Sequence, residues 1–357
     1  MCGAGIDNAS AVRAGEALDL GRLLPFLREH IDGLEGEPEL RQFPSGYSNL
    51  TYLLRFGERE LVLRRPPFGR TPKSGHDMHR EYAVLRALRH AFPYCPEALV
   101  ESDDLSILGA PFYVMKRVYG IIVRHDLPPG LELGPEGVRA LFDRVVEVHA
   151  ELHAVDWRAA GLDGFGRPEG YVPRQIAGWS ERYRQARTPD VPDFAEVIAW
   201  LEGHLPLESG RAAVIHNDFR LDNLVLDPAD PLRVIGVLDW EMATIGDPLM
   251  DLGASLAYWV ERDDPPALQA LRLMPTHLDG APTRAEVVAH YAACSGLDPG
   301  PFAFYLCYGI FRLAGITQQI YYRSFHGQTA DARFRRLGLV VGALEQAAQR
   351  VIAEAGS

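Results

Sequence analysis

The stretch that decides the fold runs from Ile215 to Asp239 and reads IHNDFRLDNLVLDPADPLRVIGVLD. It contains a His-x-Asp, an Asn five residues after that Asp, and a second Asp at the end of the next apolar run. Transfer of a γ-phosphoryl group from a Mg-nucleotide requires a carboxylate to accept the hydroxyl proton and oxygen ligands to hold the metal on the phosphates. Asp218, Asn223 and Asp239 are residues of these types in the required order.

The local structure of this stretch follows from its polarity. Residues 216–222 are too polar and irregular for a buried element, which predicts a surface loop. Two short apolar runs follow, at Leu224–Leu226 and Val234–Leu238, and the Asp and Pro residues between them are a strong turn signal. Such a hairpin places Asp239 beside Asn223, where two oxygen ligands can share one Mg²⁺. Without the hairpin, an ordinary polar turn would explain the loop equally well.

Upstream of this stretch, three short segments at 39–43, 49–56 and 59–64 alternate or run apolar between turn residues, which predicts three antiparallel strands. The loop FPSGYSNLTY joins the first two. A glycine flanked by hydroxyl and amide residues can bring backbone N–H groups to phosphate oxygens, although the same composition is common in hairpin turns. The candidate phosphate-contacting residues are Gly46, Ser48 and Asn49.

The third predicted strand ends in Arg64, a permanent cation that can bind phosphate or carboxylate bidentately. The alternative is a solvated charge at a strand end. Residues 76–90 then show apolar positions at helical spacing, with Asp77 or Ser74 as the candidate cap. Glu81, in the first turns of this helix, is the candidate partner of Arg64, and an ordinary surface charge pair along the helix is the open alternative.

These motifs together resemble those of the aminoglycoside phosphotransferase family, within the class of protein-kinase-like folds. HNDFRLDN matches the family's His-x-Asp-x-x-x-x-Asn catalytic loop, and LDWEMATIGDPLMDLG at 238–253 is similar to its metal-binding segment. The resemblance implies an α+β bilobal protein-kinase-like fold, with a small antiparallel-sheet N-lobe and a mainly helical C-lobe. It further implies ATP and Mg²⁺ as cofactors, Asp218 as catalytic base, and Asn223 and Asp239 as Mg²⁺ ligands.

Arg64 departs from the kinase pattern, which has Lys at the end of the third strand. The form Leu-Arg-Arg-Pro-Pro at 63–67, with SNLTYLL and HDMHREYAVLRAL, is similar to one branch of the family, the kinase-like domains fused to acyl-CoA dehydrogenases. In that branch the Arg is expected to be tolerated. The resemblance implies a hydroxylated acyl or related metabolite as phosphate acceptor, and antibiotic phosphorylation is the competing substrate class.

The segment 110–115 is apolar with β character. In a kinase-like fold it would be the last strand of the small lobe, with Met115 lining the adenine pocket and backbone groups of Lys116 and Val118 reading the adenine edge. It could equally be any edge strand that ends in a loop. The division predicted on this basis is an N-terminal nucleotide-binding lobe at 1–115, a hinge at 116–120 and a catalytic and substrate-binding lobe at 121–357.

Composition sets broader limits. At 357 residues and 47% hydrophobic content, two compact units with sizeable cores are expected. The net charge of −12 argues against general nucleic-acid binding and does not choose a small-molecule substrate. The four cysteines are widely spaced, which predicts neither a disulfide framework nor a zinc site. No membrane-spanning run or secretion signal is apparent, so a cytoplasmic setting is expected, and the oligomeric state is left open.

Two further sets of residues in the predicted C-lobe stand out. His149 and His153 lie one turn apart in a predicted helix at 141–155, and without a carboxylate at motif spacing they are interpreted as core histidines, not metal ligands. An aromatic-rich tract between 258 and 322 carries polar residues that are the first candidates for acceptor contacts. These are Arg312, Gln318, Gln319 and Arg323.

Two functions of different classes remain on sequence alone. The first is Mg-ATP-dependent phosphoryl transfer to a hydroxyl of a small molecule. The second is a kinase-like protein that binds nucleotide or a partner without turnover. Only the Arg at position 64 supports the second function, whereas the intact set of Asp218, Asn223 and Asp239 favours the first.

Overall fold

The computed structural model describes residues 5–44, 49–68, 77–206, 211–329 and 331–356. A five-stranded antiparallel sheet forms early in the chain, and most of the remainder is helical, which confirms the predicted α+β kinase-like fold. Gly46, Ser48 and the alternative cap Ser74 lie outside the described residues.

The sheet has the strand order β1-β2-β3-β5-β4 and confirms the three predicted strands. Its strands are β1 (Glu39–Gln42), β2 (Leu50–Phe56), β3 (Arg59–Arg65), β4 (Ala98–Ser102) and β5 (Phe112–Lys116). Three helices accompany them, α1 (Leu20–His30), α2 (Met78–Leu88) and α3 (Leu105–Leu108). Helix α2 is capped by Asp77, whose Oδ1 accepts a hydrogen bond of 3.0 Å from the backbone of Arg80.

Alternation of side chains along β3 explains how the sheet is covered. Leu61 and Leu63 are buried against α1, whereas Val62 lies in the core on the side of α2. Because side chains alternate between the two faces of a strand, Arg64 is placed on the same face as Val62. This periodicity directs the guanidinium of Arg64 toward α2 and Glu81.

Downstream of the sheet, two small antiparallel pairs frame the predicted catalytic loop. Strands β6 (Ala213–Ile215) and β9 (Thr244–Gly246) form one pair, and β7 (Leu224–Leu226) and β8 (Val234–Val237) form the predicted hairpin. Short 3₁₀ turns lie at Leu221–Asn223, Trp240–Met242 and Ala332–Arg336. The helices are α4 (Pro135–His153), α5 (Tyr171–Ala186), α6 (Ala195–Gly203), α7 (Pro248–Leu256), α8 (Pro266–Gln269), α9 (Arg284–Ser295), α10 (Ala303–Phe325) and α11 (Leu337–Ala355).

Helices α7 and α10 pack backbone against backbone. A Cβ added to Gly309 would overlap the carbonyl oxygen of Gly253, and a Cβ on Gly253 would overlap that of Tyr305. Only glycine fits at such a contact, since protein interiors are close-packed. The close approach fixes α10 beside α7, which carries Asp251 of the predicted metal-binding segment.

One hydrophobic core joins the sheet to the helical part. It includes Leu53 and Val62 of the sheet together with Phe142 of α4 and Leu249 of α7. Strand β5 runs to Lys116, one residue into the predicted hinge, and the predicted division at 115–120 stays a prediction. In the part of the chain that the structure describes, no helix is both long and apolar enough to cross a membrane.

Candidate active site

A buried carboxylate, that of Asp251, fixes the backbone of the predicted catalytic loop. Asp251 accepts the backbone N–H of His216 at Oδ2, at 2.8 Å, and that of Asn217 at Oδ1, at 2.7 Å. The His216 ring donates from Nε2 to the carbonyl of Leu238 at 2.9 Å, and its Nδ1 accepts from the backbone of Asp218 at 3.3 Å. Asn217 has φ 64°, a left-handed conformation that Asn tolerates well. The backbone on both sides of the predicted base is therefore fixed.

The side chain of Asp218 lies between a cation and an amide. Arg220 Nε is 2.9 Å from Oδ1 of Asp218, and its Nη2 is 3.2 Å from Oδ2. Asn223 Nδ2 donates to the same Oδ2 at 3.0 Å. The carboxylate keeps 19% of its surface exposed, so a hydroxyl group can reach it.

Arg220 is held in turn by two neighbours. Its Nη1 lies 3.3 Å from Asp222, and its guanidinium carbon lies 4.5 Å from the centre of the Tyr258 ring. Burial lowers the pKa of Arg220, but Asp218 and Asp222 outweigh burial and raise it above its ordinary value. The sequence analysis missed this residue. Its position two residues after Asp218, inside the loop motif, was the available signal.

The two predicted metal ligands meet at one end of the hairpin, as the sequence predicts. Leu224 pairs with Val237, and the backbone of Leu238 donates to the carbonyl of Asn223 at 2.7 Å, so Asp239 follows directly. Asn223 uses Nδ2 for the backbone carbonyl of Asp218, at 2.8 Å, and for its carboxylate, which leaves Oδ1 for a cation. Amide and carboxylate oxygens suit Mg²⁺, which needs few protein ligands. The residues present fit that ion.

Asp239 is also the point where the sheet meets the loop. Arg64 Nη2 lies 2.9 Å from its Oδ1, and 36% of the Asp239 side chain is exposed. Burial would raise the pKa of Asp239, but the charge and hydrogen bond of Arg64 hold it below its ordinary value. Asp239 is therefore ionised at neutral pH. Like Asn217, it adopts a left-handed conformation, with φ 67°.

The structure places Arg64 against its predicted partner. Arg64 Nη1 and Glu81 Oε1 are 2.7 Å apart, with only 10% and 1% of the two side chains exposed. The alternatives of a solvated strand-end charge and a surface helix pair are therefore wrong. Burial raises the pKa of Glu81 against the opposing charge of Arg64. Glu241, at 3.8 Å, is a third carboxylate around the guanidinium.

The described end of the predicted phosphate loop is tied to the same region. Asn49 is buried, and its Nδ2 donates to Glu241 Oε2 at 2.9 Å. The side chain of Asn49 thus connects the start of β2 to the segment after Asp239. Any direct role of Asn49 on phosphate stays a prediction, as do those of Gly46 and Ser48.

In the predicted adenine segment, the structure shows which groups of Met115 and Lys116 are already engaged. Met115 is buried in β5 opposite Val62, as expected for a pocket floor. However, the backbone N–H of Lys116 donates to the carbonyl of Glu97 at 2.9 Å, and its Nζ lies 2.5 Å from the Glu97 carboxylate. The N–H of Lys116 is thus already bonded to the residue before β4, and the predicted role of the backbone groups of Lys116 and Val118 on adenine stays a prediction.

The two histidines of α4, interpreted from the sequence as core residues, contact a buried carboxylate and belong to the support of the site. His149 Nε2 and His153 Nε2 lie 3.0 and 3.1 Å from the same Asp251 Oδ2, and His153 Nδ1 lies 2.6 Å from the hydroxyl of Tyr291. Burial would raise the pKa of Asp251, but the two histidine hydrogen bonds keep it well below its ordinary value. The carboxylate partner absent from the local sequence comes from α7, 98 residues after His153.

The candidate acceptor residues of α10 separate into two groups. Gln319 and Arg323 are exposed, and Gln318 is buried with its Nε2 on the carbonyl of Ala186 at 2.8 Å. Among the hydrogen bonds and ion pairs of the described residues, none joins these three side chains to the catalytic loop. Arg312 is buried beside Met242, which lies within the predicted metal-binding segment, three residues after Asp239.

Known proteins resemble this chain in sequence. Residues 39–287 match the Phosphotransferase enzyme family. Acyl-CoA dehydrogenase family member 10 of Mus musculus is 36% identical over 347 residues, covering 96% of this chain and 32% of the mouse protein. Member 11 of Gallus gallus is 35% identical over 331 residues, covering 90% of this chain and 42% of the chicken protein. The chain thus spans less than half the length of these relatives.

Solved structures share the fold. A Ralstonia eutropha protein assigned to the aminoglycoside phosphotransferases has a TM-score of 0.78 at 30% identity, over 94% of this chain and 99% of that one. Choline kinase of Cryptosporidium parvum gives 0.64 at 12% identity, over 95% and 97% of the chains. Aminoglycoside phosphotransferase APH(4)-Ia, in a ternary complex with AMP-PNP and hygromycin B, gives 0.56 at 16%, over 92% and 98%. The last two likenesses show the fold alone.

The chain belongs to the Phosphotransferase enzyme family and has the kinase-like fold of the solved structures. Within it, the curated relatives are acyl-CoA dehydrogenase family members 10 and 11, which confirms the branch that the Leu-Arg-Arg-Pro-Pro segment indicates.

Proposed function

We propose that this protein transfers the γ-phosphoryl group of Mg-ATP to a hydroxyl of a small molecule. The observation that carries the proposal is the convergence of Asp218, Asn223 and Asp239 at one end of the β7–β8 hairpin, with Arg64 bonded to Asp239. A base, two oxygen ligands and a cation are what phosphoryl transfer needs from a protein.

The residues divide the work as follows. Asp218 accepts the proton of the acceptor hydroxyl. The oxygen of that hydroxyl bonds to the γ-phosphorus while the bond between the γ-phosphorus and the ADP oxygen breaks. Asn223 and Asp239 would hold Mg²⁺, which neutralises charge on the phosphates. Arg64 adds a fixed positive charge beside Asp239, and Asp251 keeps the loop backbone in place through His216 and Asn217.

The acceptor proposed is a hydroxylated acyl metabolite. The names of the curated relatives support this class, since both relatives are described as acyl-CoA dehydrogenase family members. An aminoglycoside is the competing acceptor, supported by the description of the Ralstonia structure. The second candidate function, nucleotide binding without turnover, is favoured only by Arg64 in place of Lys.

Two measurements test the proposal. Mg-ATP is expected to raise the melting temperature, and EDTA is expected to remove that rise, because ligand binding to the folded state stabilises it. Mass spectrometry of reactions with hydroxyacyl-CoAs, hydroxy acids, aminoglycosides and small alcohols is expected to find a phosphorylated product. Binding of ATP without any product would favour the non-catalytic function, and absence of Mg-dependent stabilisation would contradict both.

The base is tested by Asp218→Ala. Turnover is expected to fall by at least roughly 100-fold, since general-base catalysis is worth about 10²–10⁴. Mg-ATP affinity, measured by calorimetry, is expected to stay within a few fold of wild type because Asp218 contacts the acceptor and not the nucleotide. A matched control is Asp227→Ala in the turn of the same hairpin, where the side chain pairs with exposed Arg233. Loss of ATP binding in the Asp218 variant alone would contradict the assigned role.

A further inference from the structure

Arg312 is a buried cation with little to neutralise it. Only 2% of the residue is exposed. Its polar contact within the described part of the chain is from Nη2 to the thioether of Met242 at 3.5 Å, and its guanidinium carbon lies 5.4 Å from the centre of the Trp179 ring. A thioether is a weak acceptor, and a buried charge is usually paired with an ion of opposite sign. The guanidinium has unused capacity to bind an oxygen anion.

A second unused donor lies one helical turn away. Tyr308 precedes Arg312 by four residues on α10, so both side chains project from one face of the helix. Tyr308 is buried, and the hydrogen-bonding group beside its hydroxyl is the indole N–H of Trp179, which can only donate, so the O–H itself has no acceptor among the described residues. Burial raises the pKa of Tyr308 to about 12, so the group is a neutral O–H donor. Buried polar groups of this kind are nearly always satisfied, which points to a missing acceptor.

This pair of donors lies beside the catalytic loop. Met242, which contacts Arg312, accepts at its carbonyl a hydrogen bond of 3.0 Å from Asn217, the neighbour of Asp218 in the chain. Met242 is 38% exposed, so the flexible thioether that contacts the guanidinium belongs to a residue at the surface. Tyr258, which stacks on the Arg220 that pairs with Asp218, also has its pKa affected by the Arg312 charge.

We propose that Arg312 and Tyr308 form an acyl-oxygen subsite that fixes the phosphate acceptor by a carboxylate or thioester carbonyl while its hydroxyl faces Asp218. The subsite rests on the proposed phosphotransferase function and deepens it. Two donors on one helix face match an acceptor with one or two acyl oxygens, and Arg is suited to bidentate binding of a carboxylate. A buried positive charge would repel ammonium groups, so the subsite disfavours aminoglycosides and amino alcohols.

The experiment compares acceptors that differ at one end. The panel contains a hydroxy acid, its CoA thioester, the diol of the same chain length and an amino alcohol. The variants are Arg312→Gln, Arg312→Lys and Tyr308→Phe, and the control is Arg323→Gln on the exposed side of the same helix. Readouts are kcat/KM for each acceptor, calorimetric titration of the hydroxy acid without nucleotide, and Mg-ATP affinity as the check that the variant is folded.

For the acyl acceptors, Arg312→Gln is expected to lower kcat/KM roughly 10- to 100-fold, and Tyr308→Phe roughly 3- to 10-fold. The kcat/KM of Arg312→Lys should lie between those of Arg312→Gln and wild type, because Lys keeps the positive charge but lacks the planar pair of donors of the guanidinium. The diol and the Arg323→Gln control should be unaffected. A larger effect on the acid identifies a carboxylate at the subsite, and a larger effect on the thioester identifies its carbonyl.

Unchanged kcat/KM in both Arg312→Gln and Tyr308→Phe, or an equal loss for the diol, would overturn the subsite. Phosphorylation of the amino alcohol in preference to the acids would also overturn it while leaving the proposed phosphotransferase function intact. If no acceptor is phosphorylated at all, that function fails, and the titration without nucleotide still decides the subsite. If Arg312→Gln does not fold, Tyr308→Phe and Arg312→Lys carry the comparison.

Discussion

At the scale of single residues, two requirements act on the carboxylate of the candidate base. Asp218 must be free to accept a proton, yet Arg220 and Asn223 both bond its carboxylate. The ion pair orients the carboxylate, and orientation of reacting groups is one of the larger contributions to catalysis. Burial raises the pKa of Asp239, and the charges of Arg64 and His216 lower it. Arg220 also lowers it, by a smaller amount. The positive charge of Arg220 therefore acts on both the candidate base, Asp218, and the predicted metal ligand, Asp239.

We predict that Arg220→Gln lowers kcat roughly 10- to 100-fold with little change in the KM for ATP, because a charge-assisted pair on the base is lost. Arg220→Lys should recover part of the rate, since it restores the charge but not the planar fork. Steady-state kinetics with saturating acceptor measure the effect, with Arg233→Gln in the exposed hairpin turn as control. A kcat equal to wild type in the Gln variant would show that the pair has no part in turnover.

The buried pair of Arg64 and Glu81 leads to a prediction about stability. Arg64→Gln leaves Glu81 buried without its cation, which typically costs about 3–5 kcal/mol. Adding Glu81→Gln to this variant should recover part of the loss, because no uncompensated charge remains. Arg64→Lys should cost less than Arg64→Gln, since a Lys can keep one of the two contacts. Urea denaturation of wild type, Arg64→Lys, Arg64→Gln, Glu81→Gln and the double Gln variant measures these differences, and strictly additive losses from the two single Gln changes would contradict the coupling.

At the scale of elements, the catalytic loop depends on the packing of α4 against α7. His149 and His153 of α4 reach Asp251 of α7, and Asp251 in turn fixes the backbone of the loop. The ring of His149 also stacks on Phe219 at 4.1 Å, next to the base. Both histidines lie within hydrogen-bond distance of one carboxylate, and the burial of His149 makes the strength of this support depend on pH.

The pKa of His149 gives the sign of this dependence of stability on pH. Burial, and next the charge of His153, lower its pKa from 6.5 to about 4. Between these values the unfolded chain binds a proton that the folded chain does not, so the free energy of unfolding falls as the pH falls, by about 3 kcal/mol in total. The loss of stability from Asp251, whose folded pKa is also depressed, begins only below its ordinary value of 3.8.

The measurement is the difference in unfolding free energy between wild type and His149→Gln at several pH values from 7 to 4. Glutamine keeps a donor near the Nε2 position but cannot be protonated. Wild type should therefore lose stability relative to the variant as the pH falls through this window. A difference that does not vary with pH would show that His149 is not buried in its neutral form.

At the scale of the whole molecule, the sheet and the helical part share one hydrophobic core. Leu53 and Val62 of the sheet belong to the same buried cluster as Phe142 and Leu249. Polar contacts join the same two parts, from Arg64 to Asp239 and from Asn49 to Glu241. The site thus lies where the two parts meet, and its geometry depends on their remaining together.

A shared core predicts cooperative unfolding. Calorimetry without ligand is expected to show one transition, with the van't Hoff enthalpy equal to the calorimetric enthalpy, because the face of the sheet that carries Leu53 and Val62 is buried in the same core as the helical part. Mg-ATP should shift this transition as a unit. Two resolved transitions, or a shift confined to one of them, would show that the two parts unfold independently.

The sequence by itself determined the local features of this protein. Strand alternation placed Arg64 on the face of Glu81, and the apolar runs around 224 and 234 predicted the hairpin that brings Asp239 back to Asn223. Such features depend on side-chain period and turn composition over a few residues, which can be read directly from the chain. The loop motif then indicated the class of reaction.

Only the tertiary structure decided how that loop is supported and what faces it. Asp251 meets His153 across 98 residues of chain, and Arg312 meets Met242 across 70. The first contact joins α7 to α4, and the second joins α10 to the segment before α7. Helix α7 itself lies backbone to backbone on α10 at Gly253 and Gly309, and no local pattern specifies that approach. Local propensity sets the elements, whereas the partners of buried charges are set by how helices distant in the chain come together.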